Sequence, residues 1–476
     1  MADTGLWRLS GMQLLEGFTR HKFSPVEVLK ELADRIERFN PILSSYISLN
    51  LPDAMNAARR AEELWLSPGE KPLLCGVPVS VKDTIEVAGL PTTYGSVPFK
   101  GNYQGDSEIA KRLRRAGAVI LGKTNTSEFA RGDYMIAKSP RNPWNVDHIP
   151  GGSSAGAASS VAAGLGPLAL GTDSGGSIRR PASYNGVFGM INTYQRIPSV
   201  QRWRAAPGRS HNGLITRTVR DTALLFQALA GPHPLDPDSD IPNVEDFFAF
   251  SRGNIRGLRV AVSYDFGSNA YIDDEARALV RVAASLLEEL GCEVMEANPP
   301  VLDDSNEEME PGVWGYSGDH YAAAESLIPG FWEKHAEQLG PRERHLMEPG
   351  RHAQAWRYRL ILRRNRAYER QLQLFFRSYD FILCPSVGPA PRVSDPPARD
   401  RFFTFQFNHA HTPACVVPFG FHSNGMPLSV QLVGSKGDDV GVLRMAGEIE
   451  ASRPWAIRWP SLAEDLPGSA TALVSG

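Results

Sequence analysis

The chain has 476 residues, of which 42% are hydrophobic and 22% are charged, and its net charge at pH 7 is −3. This composition is that of an ordinary globular protein. The small negative charge gives no electrostatic reason to expect a nucleic acid or an anionic membrane as a partner, and no apolar run reaches the roughly 18 residues that a transmembrane helix needs.

Cysteine usage and the N-terminal sequence both favour a cytoplasmic protein. The cysteines lack the close spacing of a zinc site or a disulfide framework, since they stand at Cys75, Cys292, Cys384 and Cys415. The N-terminal sequence MADTGLWRLSGMQLLEGF shows no basic region followed by an apolar core and a small-residue cleavage site. We therefore expect a reduced, cytoplasmic setting.

The first clear elements are a helix and a buried strand. In residues 23–39, FSPVEVLKELADRIERF, Ser24-Pro25-x-Glu27 forms a capping box with proline at the first helical position, and apolar residues follow at helical spacing. Residues 76–85, GVPVSVKDTI, are rich in β-branched residues and end in polar ones, which predicts a buried strand leading into a surface turn.

Residues 117–124, GAVILGKT, match the G-x-x-x-x-G-K-T pattern of phosphate-binding loops. Such a loop needs a strand before its first glycine and a flexible loop between its two glycines. Here the preceding residues predict a helix that Gly117 ends, and residues 118–121 form an apolar run typical of a buried parallel strand. Amides in a strand are committed to the sheet, so we expect no nucleotide at this pattern.

Residues 151–189 are dominated by glycine, alanine and serine but are interleaved with apolar segments. Small residues let backbone segments approach closely and leave amides able to face a ligand. We interpret this stretch as a packed, site-forming core with a strand at residues 168–171, and not as a linker.

Helices and strands alternate in the rest of the chain, with an irregular stretch expected at residues 300–350. Helices are predicted at residues 219–230, 273–290 and 351–377, and strands at residues 257–263, 292–297, 381–385 and 428–434, the last followed by a helix. This alternation predicts an α/β fold in a single large domain, residues 1–476, with a mixed, mostly parallel, twisted β-sheet sandwiched between helices.

Three residues suggest catalytic chemistry. Ser153 and Ser177 each follow a pair of glycines, and Lys82 ends an apolar strand. A lysine at that position is costly to desolvate unless it is paired or neutral. A desolvated lysine and serines beside glycine-rich amides point to a Ser–Lys nucleophile with an oxyanion hole of backbone N–H groups, although serines in glycine loops are also common elsewhere.

Five blocks of the sequence resemble the amidase signature family. They are GVPVSVKDTIEVAGLPTTYGS, GKTNTSEFA, NPWN with PGGSSAGAA, GTDSGGSIRRPASYNGVFG and GMPLSVQLVG. The similarity covers roughly residues 10–235 and 378–450, and its glycine–serine block is highly specific. The resemblance assigns G-K-T-N to the end of a strand, so it too argues against a phosphate loop.

The resemblance implies a role for each of the three residues. Ser177 would be the nucleophile, Ser153 the bridging serine held by a cis peptide bond after Gly152, and Lys82 the general base. The oxyanion hole would consist of the backbone N–H groups of Ser174, Gly175, Gly176 and Ser177. No metal and no cofactor would be needed.

Two further pairs of residues could contribute to the site, one through its position in the sequence and one through its residue type. Asp173 and Arg179 flank the nucleophile loop, and we expect them to pair and to fix its turn. His409 and His411 have a spacing that could suit a metal on one strand face, but no third ligand lies nearby in sequence. We interpret them as ordinary loop histidines.

The function implied is a hydrolase that cleaves the C–N bond of amides, or of related carbamates, through an acyl-enzyme. One alternative is a glutaminase or amidotransferase A-type subunit that supplies ammonia to a partner. Family members of that kind commonly have GLKPTYGRV after the nucleophile, where this chain has GMINTYQRIP. A less favoured alternative is a nucleotide-binding protein that uses residues 117–124.

Residues 70–235 would form the catalytic core, and the variable segment 300–350 would shape the substrate entrance. Candidate pocket residues are Tyr134, Met135, Trp203 and Trp314. Their aromatic and apolar character favours neutral substrates with aryl or alkyl groups, such as aryl amides or carbamates. We expect a monomer or a homodimer.

Overall fold

The computed structural model describes most of the chain. The described residues are 5–200, 206, 208–241, 246–248, 254–268, 270–302, 315–395 and 401–464.

One sheet organises the described part of the chain. Its eleven strands lie in the order β1-β3-β2-β4-β6-β5-β10-β11-β9-β7-β8. The strands are β1 Tyr46–Leu49, β2 Pro78–Lys82, β3 Val119–Thr124, β4 Leu168–Asp173, β5 Phe188–Ile191, β6 His211–Thr216, β7 Arg259–Val262, β8 Glu293–Glu296, β9 Phe381–Pro385, β10 Ala414–Phe421 and β11 Pro427–Gly434.

The mixed sheet is confirmed, but parallel pairs do not predominate in it. Of the ten neighbouring strand pairs that the structure describes, four are parallel and six are antiparallel. Four of the five pairs between sequence-predicted strands are parallel. The other antiparallel pairs involve β1, β5, β6 and β10, which the helix–strand alternation did not predict. The hairpin of β10 and β11 shows why, since two strands joined by a tight turn pair antiparallel.

Helices cover both faces of this sheet. They are α1 Gly11–Thr19, α2 Pro25–Leu43, α3 Leu51–Leu66, α4 Glu108–Arg115, α5 Ala155–Ala162, α6 Arg179–Asn185, α7 Val219–Leu229, α8 Asp274–Glu289, α9 Gly315–Leu327, α10 Phe331–His335, α11 Pro341–Met347, α12 Ala355–Phe375, α13 Phe402–His409, α14 Asp439–Ser452 and α15 Ser461–Glu464. The capping box predicted at Ser24 is present, because its side chain accepts from the Glu27 amide while Glu27 bonds the Ser24 amide.

The expectation of an irregular segment at residues 300–350 was wrong for its described part. Three helices, α9, α10 and α11, occupy much of residues 315–347. Their apolar residues pack in a cluster with Tyr94, Phe99 and Phe129 of the N-terminal half. Tertiary packing of aromatic side chains therefore stabilises short helices that have little helical periodicity of their own.

The strand predicted inside GAVILGKT is confirmed and extends through its Gly-Lys-Thr. Gly122, Lys123 and Thr124 all belong to β3, which pairs with β1 and β2. The Lys123 amine is fully buried and forms an ion pair with Asp83 at 3.1 Å. This lysine is therefore already paired inside the protein, and the backbone around it belongs to the sheet.

The two faces of the sheet carry two separate apolar cores. In β4, Leu168 and Leu170 belong to one hydrophobic cluster, while Ala169 between them belongs to the other. This is the pattern expected of a strand with both faces covered. The cores fix β4 and its neighbour β2 in place, and both strands end at the candidate site.

The four cysteines are buried and form no disulfide. Among the described residues, no helix is long and apolar enough to cross a membrane. The cytoplasmic location stays a prediction.

Candidate active site

The candidate site lies at one edge of the sheet, where two parallel strands end. β2 and β4 are neighbours, with Val81 paired to Leu170. Lys82 is the last residue of β2, and Asp173 is the last residue of β4. Because parallel strands end at the same edge of a sheet, the lysine reaches the start of the glycine–serine loop that follows β4.

The Lys82 amine is surrounded by hydroxyl groups. Its Nζ lies 2.8 Å from Ser153 Oγ, 3.0 Å from Ser154 Oγ and 3.0 Å from Thr172 Oγ1. The Ser154 hydroxyl donates its own proton to the Thr172 carbonyl at 3.2 Å, so it can only accept from the lysine. The Ser153 hydroxyl, which is the closest of the three, is therefore well placed to donate to a neutral amine.

Burial shifts the titration of Lys82 into the neutral range. The side chain is fully buried, and this desolvation lowers the pKa of Lys82 to about 7, although the charge of Asp173 opposes the change. A neutral amine can accept a proton, whereas an ordinary charged lysine cannot.

The loops that carry the two serines touch through their backbones. The Gly152–Ser153 peptide bond is cis. The Ser154 N–H donates to the Ser177 carbonyl at 3.1 Å. This bond ties the Ser177 loop, which is residues 173–178 from the end of β4 to the start of α6, to the Ser153–Ser154 turn. The structure thus brings Lys82, Ser153 and Ser177 to one place, from three separate segments of the sequence.

Asp173 and Arg179 form the pair that the sequence predicted. Both are fully buried, and Arg179 Nη2 lies 3.1 Å from Asp173 Oδ1. Burial by itself would raise the pKa of the Asp173 carboxyl, but the Arg179 guanidinium and the Ile178 and Gly176 amides outweigh it and hold the pKa well below its usual range. Asp173 is therefore a stable buried anion at the base of the Ser177 loop.

Comparison with known proteins identifies the family of the chain. The family model described as Amidase matches residues 27–443. The chain belongs to the amidase family.

An acylamidase of Rhodococcus erythropolis is 33% identical over 97% of this chain and 99% of its own length. The same identity and coverage hold for the A-type subunit of a glutamyl-tRNA(Gln) amidotransferase from Roseiflexus castenholzii. The solved structure of 6-aminohexanoate cyclic dimer hydrolase superposes with a TM-score of 0.85 at 28% identity, covering 96% of this chain and 99% of that chain.

Membership of this family confirms the predicted enzyme class and fold. The protein is an amidohydrolase that cleaves the C–N bond of amides, and it is built as one α/β domain around a mixed sheet.

The Ser177 loop of this amidase differs from the sequence prediction at two amides. The Gly175 and Gly176 N–H groups donate to Asp173 Oδ1 at 3.1 and 2.6 Å. These two N–H groups point towards Asp173 because its carboxylate lies beneath the loop and accepts hydrogen bonds from the backbone. The Ser177 N–H, in contrast, has no acceptor among the residues that the structure describes.

The predicted pocket residues are only partly described. Tyr134 lies close to the cis peptide, since its hydroxyl is 3.7 Å from the position that a Cβ on Gly152 would take. Desolvation raises the pKa of the Tyr134 phenol, which therefore stays neutral. Met135 lies against Gly340, just before α11. Trp203 and Trp314 lie outside the described residues.

The expectation of loop histidines was wrong for His409, which belongs to a helix, whereas His411 lies in a turn. His409 ends α13, and burial lowers its pKa well below the usual value. His411 Nδ1 contacts Glu369 at 3.1 Å, and its Nε2 contacts the Gly208 carbonyl at 2.5 Å. No group of three or more potential ligand side chains in the described part of the amidase is arranged to hold a metal ion.

Sequence reasoning missed four residues that complete the site. Ser154 and Thr172 surround the lysine amine, and both stand inside the family blocks beside predicted residues. Thr404 and Asn408 reach the Ser177 loop from α13, far along the chain. Nothing in FFTFQFNH indicates that contact, because its polar residues sit among phenylalanines that resemble an ordinary core helix.

Proposed function

We propose that this amidase hydrolyses small neutral amides, and related carbamates, by acyl transfer through Ser177, Ser153 and Lys82. The observation that carries the proposal is the buried Lys82 amine, 2.8 Å from Ser153 Oγ, with its pKa lowered to about 7. A lysine of ordinary pKa is neutral in only about one molecule in 2,500 at pH 7. At a pKa of about 7, half of the molecules carry the base in its active form.

The relay moves one proton in each direction. Neutral Lys82 takes a proton from Ser153, which takes one from Ser177, and Ser177 Oγ attacks the amide carbonyl carbon. When the tetrahedral intermediate breaks its C–N bond, the proton returns through Ser153 to the leaving nitrogen. Water then attacks the acyl-enzyme by the same route and releases the acid.

The developing oxyanion needs preorganised donors. The Ser177 N–H supplies one, since it has no acceptor in the described structure. The Ser174 N–H of the same loop remains part of the proposal. The Gly175 and Gly176 N–H groups instead hold the loop on Asp173.

The activity should follow the neutral fraction of Lys82. Below about pH 7 the amine is protonated, so kcat/KM for a nitroanilide is expected to fall about tenfold for each pH unit. Above about pH 8 the amine is neutral and kcat/KM should level off. The measurement is a pH profile of kcat/KM with folding checked at each pH. A rate that keeps rising to pH 10 would mean that the base has an ordinary lysine pKa.

The proposed substrates are neutral molecules with aryl or alkyl groups. The neutral Tyr134 phenol beside Gly152 supports a pocket wall with apolar character. The acylamidase relative supports an acyl amide as the type of bond that is cleaved. Residues 70–235 would carry the catalysis and the 300–350 segment would shape the entrance, in a monomer or a homodimer.

Comparing kcat/KM for an aryl amide and an aryl carbamate with kcat/KM for glutamine tests this preference. We expect the aryl substrates to exceed glutamine by at least about tenfold, since each buried ring or methylene group contributes on the order of 1 kcal/mol to transition-state binding. The Ser177→Ala variant is the control for background hydrolysis. A preference for glutamine would contradict the proposal.

A second candidate function is the ammonia-supplying component of an amidotransferase. The relative of that class, as similar to this chain as the acylamidase, is the observation that favours it. Under that hypothesis the isolated chain would release ammonia from glutamine only when partner chains are added.

A further inference from the structure

Helix α13, residues Phe402–His409, lies outside the predicted catalytic core of residues 70–235 but contacts the Ser177 loop. Thr404 and Asn408 are four residues apart and therefore point from the same face of the helix. Both are fully buried, and each bonds the backbone of the segment that leads to Ser177.

The Gly175–Gly176 peptide unit is held at both of its polar ends. Its carbonyl, that of Gly175, accepts from Thr404 Oγ1 at 2.9 Å. Its N–H, that of Gly176, donates to Asp173 Oδ1 at 2.6 Å. Gly176 has φ near +118°, where only glycine is comfortable, and a Cβ there would overlap the Thr404 hydroxyl. A peptide unit between two glycines rotates easily, so these two bonds fix its orientation.

Asn408 orients Asp173, whose carboxylate accepts the hydrogen bond from the Gly176 N–H. Its Nδ2 donates to the Asp173 carbonyl at 2.8 Å and to Asp173 Oδ1 at 3.0 Å. Its Oδ1 accepts from Arg179 Nη2 at 2.5 Å. The carboxylate that receives the Gly176 N–H is therefore itself oriented from α13.

We infer that Thr404 is a positioning residue for the acyl transfer, because it prevents the Gly175–Gly176 peptide unit from turning over. This inference rests on the proposed function, in which Ser177 is the nucleophile and its N–H binds the oxyanion. A turned peptide unit would reverse the dipole beside Ser177 and break both bonds that hold this part of the loop. Asn408 supports the same arrangement through Asp173.

The test compares Thr404→Val, which keeps the shape but removes the hydroxyl, with Thr404→Ser, which keeps the hydroxyl. For Thr404→Val we expect kcat on a nitroanilide to fall roughly five- to tenfold, the effect of losing one hydrogen bond. KM should stay within about twofold. The rate of fluorophosphonate labelling should fall in the same proportion as kcat. For Thr404→Ser we expect kcat and labelling within about twofold of the wild type.

The hydroxyl of Thr404 also lies 3.0 Å from the Arg401 carbonyl at the start of its own helix, so a matched control is needed. Thr412 is equally buried, and its hydroxyl reaches a helix carbonyl, that of Phe407, at 3.4 Å without touching the Ser177 loop. Thr412→Val should therefore leave kcat and the labelling rate unchanged. Thr404→Ala, which adds no methyl group against the loop, should reproduce the loss seen in Thr404→Val.

Three outcomes would overturn the inference. They are wild-type kcat and labelling in Thr404→Val and Thr404→Ala, an equal loss in Thr404→Ser, or an equal loss in Thr412→Val. The site at which fluorophosphonate labels the wild type shows whether only the inference about Thr404 fails or the proposed function fails as well. If the probe attaches elsewhere than Ser177, the nucleophile assignment fails and the inference fails with it. If it attaches to Ser177 at equal rates in wild type and Thr404→Val, only the inference fails.

Discussion

Ser177→Ala is expected to lower kcat/KM for an aryl amide by roughly four orders of magnitude or more, and Lys82→Ala by a similar factor. Each change stops the same proton relay, so the double variant should be barely worse than either single one. Ser153→Ala should be severe but less complete, because a water molecule can bridge the gap to the amine. The measurement is kcat/KM on purified, folded variants, together with fluorophosphonate labelling, which should disappear in Ser177→Ala.

Ser160→Ala serves as the matched control for these variants. Ser160 is a fully buried serine of the same glycine–serine stretch, but its hydroxyl bonds the Ala157 carbonyl of its own helix and is not one of the hydroxyls around the Lys82 amine. Its replacement should leave the activity near that of the wild type. If Lys82→Ala kept more than about a tenth of the wild-type kcat/KM, Lys82 could not be the base of the relay.

The sequence predicted the chemical centre of the site because local rules determine it. A lysine at the end of an apolar strand has to be desolvated, and glycine pairs before Ser153 and Ser177 free the backbone for a tight turn. The structure adds what spacing cannot express. The amine pocket contains two further hydroxyls, from Ser154 and Thr172, and the Gly175 and Gly176 amides bond Asp173.

The sheet shows the same limit of local reasoning. Most pairs between the strands that the sequence predicted are parallel. β6 and β10 were missed, and β10 follows α13, so a preceding helix alone does not reveal a strand. Their places are set by strand pairing between distant segments, and periodicity within one segment does not contain that information.

The contacts of α13 are also non-local. Thr404 and Asn408 lie more than 220 residues after the loop that they bond. Their helix shows only phenylalanines and scattered polar residues, so its sequence predicts burial but no partner. A contact of this kind becomes visible only once the sheet has brought the two ends of the chain together.

Arg179→Met is expected to be strongly destabilising, by about 3–5 kcal/mol, because it leaves the fully buried Asp173 carboxylate without its counter-charge. Methionine fills much of the same volume, so the effect is that of the charge and its hydrogen bonds. Denaturant unfolding at pH 7 measures the loss. The Ser177 loop is built on the same carboxylate, so turnover of the remaining folded protein should fall as well.

The pH dependence separates a lost charge pair from lost packing. In the wild type the pKa of Asp173 lies below its ordinary value, so the pair contributes stability at neutral pH that is lost as the pH falls through that low pKa. Without Arg179, burial raises the pKa of Asp173 above its unfolded value. The carboxyl then takes up a proton on folding, so the loss of unfolding free energy in Arg179→Met should become smaller as the pH falls from 7 to 5.

Arg259→Met, which breaks a half-exposed pair with Asp380, is the matched control and should lower the free energy of unfolding much less at every pH. An Arg179→Met deficit no larger than that of the control, or one that does not change with pH, would mean that Asp173 is not a buried anion held by Arg179.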